Sequence, residues 1–516
     1  TITTTELNLI DGGATVGTTA VADGDGVLHN DGGTMRVTSA ATFKTYFQEG
    51  ISQAYDDFTI GDAAVLITTS SGNITIDAAA NDSDIILKGT DGGADTTFLT
   101  IDGSAAGAAT FNSTVTGTSF NGIPFYSGDS GSIYTTDVSG TDDTATGNSA
   151  FGVEALDAIT TGDNNTAVGT SALGANTSGA SNTGIGREAL KTNTTAANNT
   201  AVGAEALETN NGAANTAVGK SALTSNTTGD SNVAIGKGAM ELNSTGAQNT
   251  ALGYNALDAN TTANNNTAIG FTAMSANTTG TQNVSVGEES LLINTTGGQN
   301  VAIGSESMKA NTTGSNNVAL GRNALKGNTT AANNVALGMD TLVANTTGTR
   351  NLAIMKNALN ASDTEDDNIA IGYNAMTTNT AGGTGNIALG NYALDATTSG
   401  DNNIGVGLNA LGTNTTGSDN VAVGVIALKL NSTGDKNVAI GRSALEDHTT
   451  GDSNTAVGYE ALNKNTTGTM NTAVGAFALD ANVGAGNYNT AMGGDSLSAN
   501  TTGDQNSAFG YGALEA

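Results

Sequence analysis

Asn165-Thr166-Ala167-Val168-Gly169-Thr170-Ser171-Ala172-Leu173-Gly174-Ala175-Asn176-Thr177-Ser178-Gly179-Ala180-Ser181 is one copy of the unit that decides how the whole chain is read. The unit recurs from Asn148 onward, with 22 starts, the last at Asn506. The spacing is 17 residues, apart from one shorter step (Asn199 to Asn215) and two steps of 18. Position 1 is Asn in all 22 copies, position 4 is always apolar, position 9 is always Leu or Met, and position 5 is Gly except at Met355. A fixed short period is the mark of a solenoid. Seventeen residues are too few for the helix pairs of ankyrin or tetratricopeptide arrays, which need about 33, and a unit rich in Gly, Asn and Thr disfavours helix.

The alternation inside the unit fits a strand. In Asn232-Val233-Ala234-Ile235-Gly236, Val233 and Ile235 share one face while Asn232, Ala234 and Gly236 share the other. Ala239-Met240 reads as a second short extended piece, and Asn243-Ser244-Thr245-Gly246 as a turn. The fold class expected is therefore all-β, a parallel β-solenoid of about 22 coils of 17 residues. Coils stacked at ~4.8 Å make a rod on the order of 100 Å long.

Stacking turns each position into a column. The structural ladder residues singled out are Asn165, Asn182 and Asn199 at position 1, whose amides stack as in cross-β ladders. Gly169, Gly186 and Gly203 at position 5 are expected to meet a positive φ or a close backbone approach. Val168 and Ile185 at position 4, with Leu173 and Leu190 at position 9, are expected to form two buried aliphatic columns. Position 3 is Ala in 19 copies and position 8 is Ala in 18. That small face is expected to lie against another chain, the alternative being a wider single-chain coil with Ala inside.

Composition agrees with one coil formula repeated many times. Of 516 residues 71 are Gly, aromatics are 4% and charged residues 12%, yet 37% are hydrophobic, which a thin repetitive core uses and a conventional globule does not. The net charge of −32 disfavours nucleic acid and anionic membrane surfaces as partners. With no Cys there are no disulfides or thiolate chemistry, and no apolar run approaches the ~20 residues of a membrane span. The two histidines, His29 and His448, build neither a triad nor a metal site. Asp363-Thr364-Glu365-Asp366-Asp367 reads as a solvated acidic turn before it reads as a calcium loop. No catalytic, cofactor-binding or metal-ligating residues are assigned, and no enzyme activity is expected. Fourteen position-12 Asn residues, among them Asn176, Asn193 and Asn226, match the N-x-[ST] glycosylation pattern but read as turn chemistry. The Thr rows leave an ice-binding solenoid as a minor alternative.

Ahead of the repeats, Asp-Gly turns (Asp11-Gly12, Asp23-Gly24, Asp31-Gly32, Asp91-Gly92) separate short β-rich runs such as Val65-Leu66-Ile67 and Ile85-Ile86-Leu87. One short helix is expected near 39–55, where Phe43, Phe47 and Ile51 recur at i, i+4, i+8. The divisions expected are an attachment and oligomerisation region over 1–60, a β-rich shaft segment over 61–147 and the repeats over 148–516.

The N-[TSV]-[AV]-[VI]-G-x-x-[AS] pattern of residues 148–516 resembles the head repeats of YadA-type trimeric autotransporter adhesins, which implies a trimeric β-roll. The present units are longer, with N-T-T-G enlarging one turn. Thr5 to Gly13, His29 to Arg36 and Ala109 to Gly117 resemble segments of tailed-phage virion proteins, marine ones especially, and of tail-fibre shafts. Together these resemblances imply a homotrimeric tail fibre located on the virion. The N-terminal end would meet other tail or baseplate proteins, and the fibre would project a region that binds a host receptor, glycan or protein. The alternative is a bacterial surface adhesin or extracellular filament subunit. The resemblance further implies a C-terminal chaperone or receptor-binding tip following Ala516. Receptor-binding residues are not assigned; the irregular coils at Met355 to Asp367, Ala381 to Asn386 and Val483 to Tyr488 are the places singled out for them.

Overall fold

The computed structural model describes residues 22, 24, 26–42, 44–45, 71, 73, 76, 84–91, 94–102, 108–111, 126–127, 133–135, 144–484 and 486–515. The chain divides into two units, Thr1–Val115 and Thr116–Ala516.

In the first unit, β1 (Gly26–Asp31) and β2 (Thr34–Ser39) form an antiparallel hairpin. Its two-residue turn is Gly32-Gly33, at φ 57° and 91°, conformations that glycine adopts without a Cβ penalty and that suit the twist of a tight hairpin. A second sheet is the meander of β3 (Ile85–Asp91), β4 (Ala94–Asp102) and β5 (Ala108–Phe111), with an irregularity between Leu87 and Lys88. Residues 40–42 and 44–45 are helical. This helix starts where Ser39 Oγ accepts the Thr42 N–H at 3.2 Å, an N-cap that satisfies one of the orphan donors of the first turn. The Phe43, Phe47 and Ile51 stripe, the Val65–Ile67 run and the Asp11-Gly12 turn lie outside the described residues.

The second unit is the solenoid. It opens with β6 (Tyr126–Ser127) and β7 (Ile133–Tyr134), and β7 pairs in parallel with the first repeat strand, burying Tyr134. Twenty-two three-residue strands follow, from β8 (Ser149–Phe151) to β29 (Ser507–Phe509). Each occupies positions 2–4 of its unit and pairs in parallel and in register with the next: Thr166 opposite Thr183, Ala167 opposite Gly184, Val168 opposite Ile185. The core is one continuous column of Ala at positions 3 and 8 and Leu or Met at position 9, running from Tyr134 to Ala508.

Which face of the strand points inward differs from expectation. Asn165 and Ala167 are fully buried, whereas Val168 is 40% exposed and Ile185 39%. The single-chain coil with Ala inside is therefore the arrangement found, and the position-4 aliphatics look outward. The cause is the width of the coil. A Cβ at Gly184 would lie 3.4 Å from Leu173 Cγ and 3.2 Å from the Ala189 carbonyl oxygen. The wall facing Leu therefore admits only small residues, Ala in 19 coils and Ser285 the largest found there. Once Asn and Ala face inward, the period of two sends positions 2 and 4 outward.

The expected second extended piece is instead a turn built on left-handed backbone. Positions 7, 9 and 17 take positive φ in coil after coil, as in Ser171 (55°), Leu173 (52°) and Ser181 (58°). A left-handed conformation costs a non-glycine residue about 1–2 kcal/mol. At position 9 it is offset by burying the Leu side chain, about 1.5–3 kcal/mol, and by bonds such as Leu173 N–H to the Ala189 carbonyl at 2.9 Å.

Candidate functional site

Two regions of the rod carry its chemistry, the amide ladders inside and the aliphatic strip outside. At position 1 the buried Asn side chains tie each coil to the next. Asn165 Oδ1 accepts the backbone N–H of Asn182 at 2.9 Å, and Asn165 Nδ2 donates to the Gly179 carbonyl at 2.9 Å. Asn182 repeats both bonds, to Asn199 and Ala196, and Asn199 accepts from Asn215. At position 12 a second ladder runs parallel, with Asn193 Nδ2 reaching Asn176 Oδ1 at 3.0 Å and the Ala196 carbonyl at 3.0 Å. These carboxamides satisfy backbone groups that a narrow coil cannot pair by itself. The position-12 Asn residues 176, 193 and 226 are fully buried with their amides engaged. Their N-x-[ST] patterns are thus closed to a glycan in the folded rod.

At position 5, Gly169, Gly186 and Gly203 sit at φ 130–136°, and a Cβ on Gly169 would lie 2.6 Å from the Gly186 carbonyl oxygen. The Thr rows serve the coil itself, since Thr177 Oγ1 donates to the Thr194 carbonyl and Thr278 Oγ1 to that of Thr295.

The irregular coils keep the lattice. Coil length varies in one turn only, the one following position 12. The amide of Asn176 reaches a carbonyl three residues on, that of Asn210 two (Gly212), and those of Asn379 and Asn482 four (Gly383 and Gly486). In the Met355 coil, Ser362 replaces the position-12 Asn and Glu365 fills its slot. The buried Glu365 carboxylate accepts from Ser362 Oγ, the N–H groups of Asp363 and Thr364, and the Gly382 N–H. Its acidic neighbours are engaged as well. Asp366 accepts from Thr349, and Asp367 forms a two-pronged pair with Arg350 that holds its carboxyl below the usual range. Among the described residues no three His, Asp or Glu side chains gather as a metal cluster would require. Met355 itself is 49% exposed, Val483 50% and Tyr488 55%.

His448 is the one imidazole in the ladder, standing where the repeat has Asn. It is fully buried, with Nε2 2.7 Å from the Gly451 carbonyl and Nδ1 3.1 Å from that of Asn465. It has no amide to offer the coil before it, so the buried Asn431 Oδ1 is left without a hydrogen-bond partner. His448→Asn is therefore expected to stabilise these coils by about 1–2 kcal/mol, the cost of one unsatisfied buried acceptor. Burial pushes the imidazole below its usual pKa of 6.5, against the opposing pull of the two carbonyls. The unfolded chain then binds more protons than the folded one as pH falls below 6.5, so the histidine's share of stability is present above that pH and lost below it. The gain from His448→Asn should accordingly be larger at pH 5 than at pH 8. Hydrogen exchange of residues 431–468 at the two pH values measures it; equal protection in wild type and variant would refute the assignment.

Charged side chains decorate the outer turns. Glu306 is held down to about 2, chiefly by its hydrogen bonds to Lys309 and Lys326, while burial pushes Asp258 up to about 6. The outward aliphatic strip is more continuous than either. Position 4 is apolar in every coil, and Val168, Ile185, Ile235, Leu252, Ile303, Leu320 and Ile440 are each more than a third exposed. This strip is the feature that the expected inside-outside assignment missed; the Ala at position 3 was its signal.

The fold and its ladders define a class, an all-β parallel β-solenoid repeat protein with coils 17 residues apart. No family model, curated protein or solved structure matches the chain. Among the described residues no helix is long and apolar enough to cross a membrane.

Proposed function

We propose that this chain is the shaft of an extracellular fibre, a tail fibre of a tailed phage, built from parallel copies and serving to hold a host-binding region away from the particle. The observation that carries this reading is the outward apolar column, unbroken over 22 coils. A soluble monomer rarely exposes a contiguous apolar patch of more than a few hundred Å², so a strip of this length calls for a covering chain. A homotrimer covers it with identical faces in closed symmetry. The strict repetition supports a spacing role as well, because length is the property that grows with coil number.

Sedimentation and electron microscopy of the purified chain test the assembly, with trimeric rods having a solenoid portion of about 100 Å expected. Monomers at tens of micromolar would overturn it. Gold-labelled antibody to the rod is expected to decorate virion tails; decoration of the bacterial surface would replace this reading with the adhesin one.

A further inference from the structure

The outward strip is not uniform along the rod. Position 4 is apolar throughout, but position 2, its neighbour on the same outer face, changes in blocks. It is Ser or Thr from Ser149 to Thr267, Val233 apart, and Thr or Ser again from Thr455 to Ser507. Between them ten successive coils carry only aliphatics: Val284, Val301, Val318, Val335, Leu352, Ile369, Ile387, Ile404, Val421 and Val438. These side chains are half-buried by their own coil, while Ile303, Leu320, Val423 and Ile440 beside them are 36–47% exposed.

We propose that the outer face from Val284 to Ile440 is the dry core of a seam against a second copy of this chain, and that the Thr-bearing coils on either side are its wet margins. The inference rests on the self-association proposed above and says which coils drive it. Two arguments select a second copy as the occupant. The first is period. Side chains stand in rows at a spacing of about 4.8 Å over the full stack, and a partner that covers such a face without gaps must repeat at the same spacing over the same length, as another copy does. The second is area. Ten coils make a strip about 48 Å long and roughly 10 Å wide, on the order of 500 Å² per chain, and all 22 coils about twice that. A stable interface needs about 800 Å² per partner. The aliphatic block alone falls short and the whole strip suffices, so the seam needs its Thr margins for extent and its aliphatic centre for exclusion of water. That division is the apolar core and polar rim of an ordinary interface, drawn out along a line.

The test compares substitutions of one kind in the two zones, with association followed by sedimentation over a concentration series. Val335→Asp lies in the centre and Thr216→Asp in the margin; both side chains point out of the coil, so each variant should keep the rod's circular dichroism. Val335→Asp is expected to weaken association at least a hundredfold and Thr216→Asp less than tenfold. Equal losses, or a larger loss from Thr216→Asp, would overturn the zoning while leaving self-association intact. A wild-type chain that stays monomeric would instead overturn the reading beneath it. Should Val335→Asp fold poorly, the near-isosteric set Val301→Thr, Val318→Thr, Val335→Thr and Val421→Thr gives the centre the chemistry of the margin. At least a tenfold loss is expected from it, and a change under threefold would refute the proposal.

Discussion

Gly270→Ala should break the rod locally, at a cost of about 2–6 kcal/mol. Gly270 sits at φ 138°, and a Cβ built there would lie 2.5 Å from the carbonyl oxygen of Gly287 and 2.7 Å from its carbon. Those atoms are backbone of the next coil, themselves held by the same contact one step further on, with Gly287 facing Gly304 at 2.6 Å. The added methyl cannot be accommodated by a side-chain rotation. Strain at such a φ costs about 1–3 kcal/mol and overpacking a similar amount. Met355 marks the tolerated route: its φ is 85° instead of about 138°, and it retains the strand bond to the Leu337 carbonyl at 2.8 Å. In a stack stabilised by nearest-neighbour contacts, such a lesion divides the rod into two segments rather than unfolding it whole. The measurement is hydrogen exchange by mass spectrometry: protection should fall over residues 253–304 and persist near both ends of the repeat array. An unchanged exchange pattern would refute the steric argument.

Asn283→Leu is expected to cost about 1–3 kcal/mol although it replaces a polar side chain with an apolar one of similar size inside the core. Asn283 Oδ1 accepts the backbone N–H of Asn300 at 2.9 Å, and Asn283 Nδ2 donates to the Gly297 carbonyl at 2.9 Å. The substitution leaves the Asn300 N–H buried and unpaired, at about 1–3 kcal/mol, while Asn294 Nδ2 still reaches the Gly297 carbonyl at 3.0 Å. Leu in place of the exposed Leu252 neighbour Tyr254 would have no such consequence, because Tyr254 stacks on Phe271 at the surface and bonds no backbone through its ring. The readout is a thermal melt that becomes biphasic, with early loss of protection around residues 266–300. A single unshifted transition would show that the ladder adds little.

The period, the strand and the columns were legible because each is a matter of spacing. Asn at position 1 and Gly at position 5 recur so regularly that stacking follows. The inward face was harder, since alternation defines two faces and leaves open which of them is buried. Val168 and Ile185 look like core by hydrophobicity, yet the carboxamides of Asn165 and Asn182 have more to gain from burial, because the coil's own N–H and carbonyl groups require them. The left-handed turn at Leu173 was not legible for another reason: Leu seldom adopts that conformation, and only the surrounding stack makes it favourable. The tally of Ala at position 3 did hold the answer. Beside Leu173 a larger side chain has no room, as the tight fit at Gly184 shows. The outward strip is the counterpart of that constraint.

The turn after position 12 has a wider meaning. One residue can be removed there, as between Asn210 and Gly212, or added, as between Asn379 and Gly383, while the position-1 bonds continue on both sides, at 2.9 Å from Asn215 to Asn199 and 3.0 Å from Asn386 to Asn368. It behaves as an expansion joint: the spacing of the coils is set on the strand side and the chain's slack is taken up at this one corner. A difference of one residue is therefore absorbed at that corner with the position-1 bonds kept on either side. The solenoid thus has one edge along which chain length varies while the stacking of the strands does not.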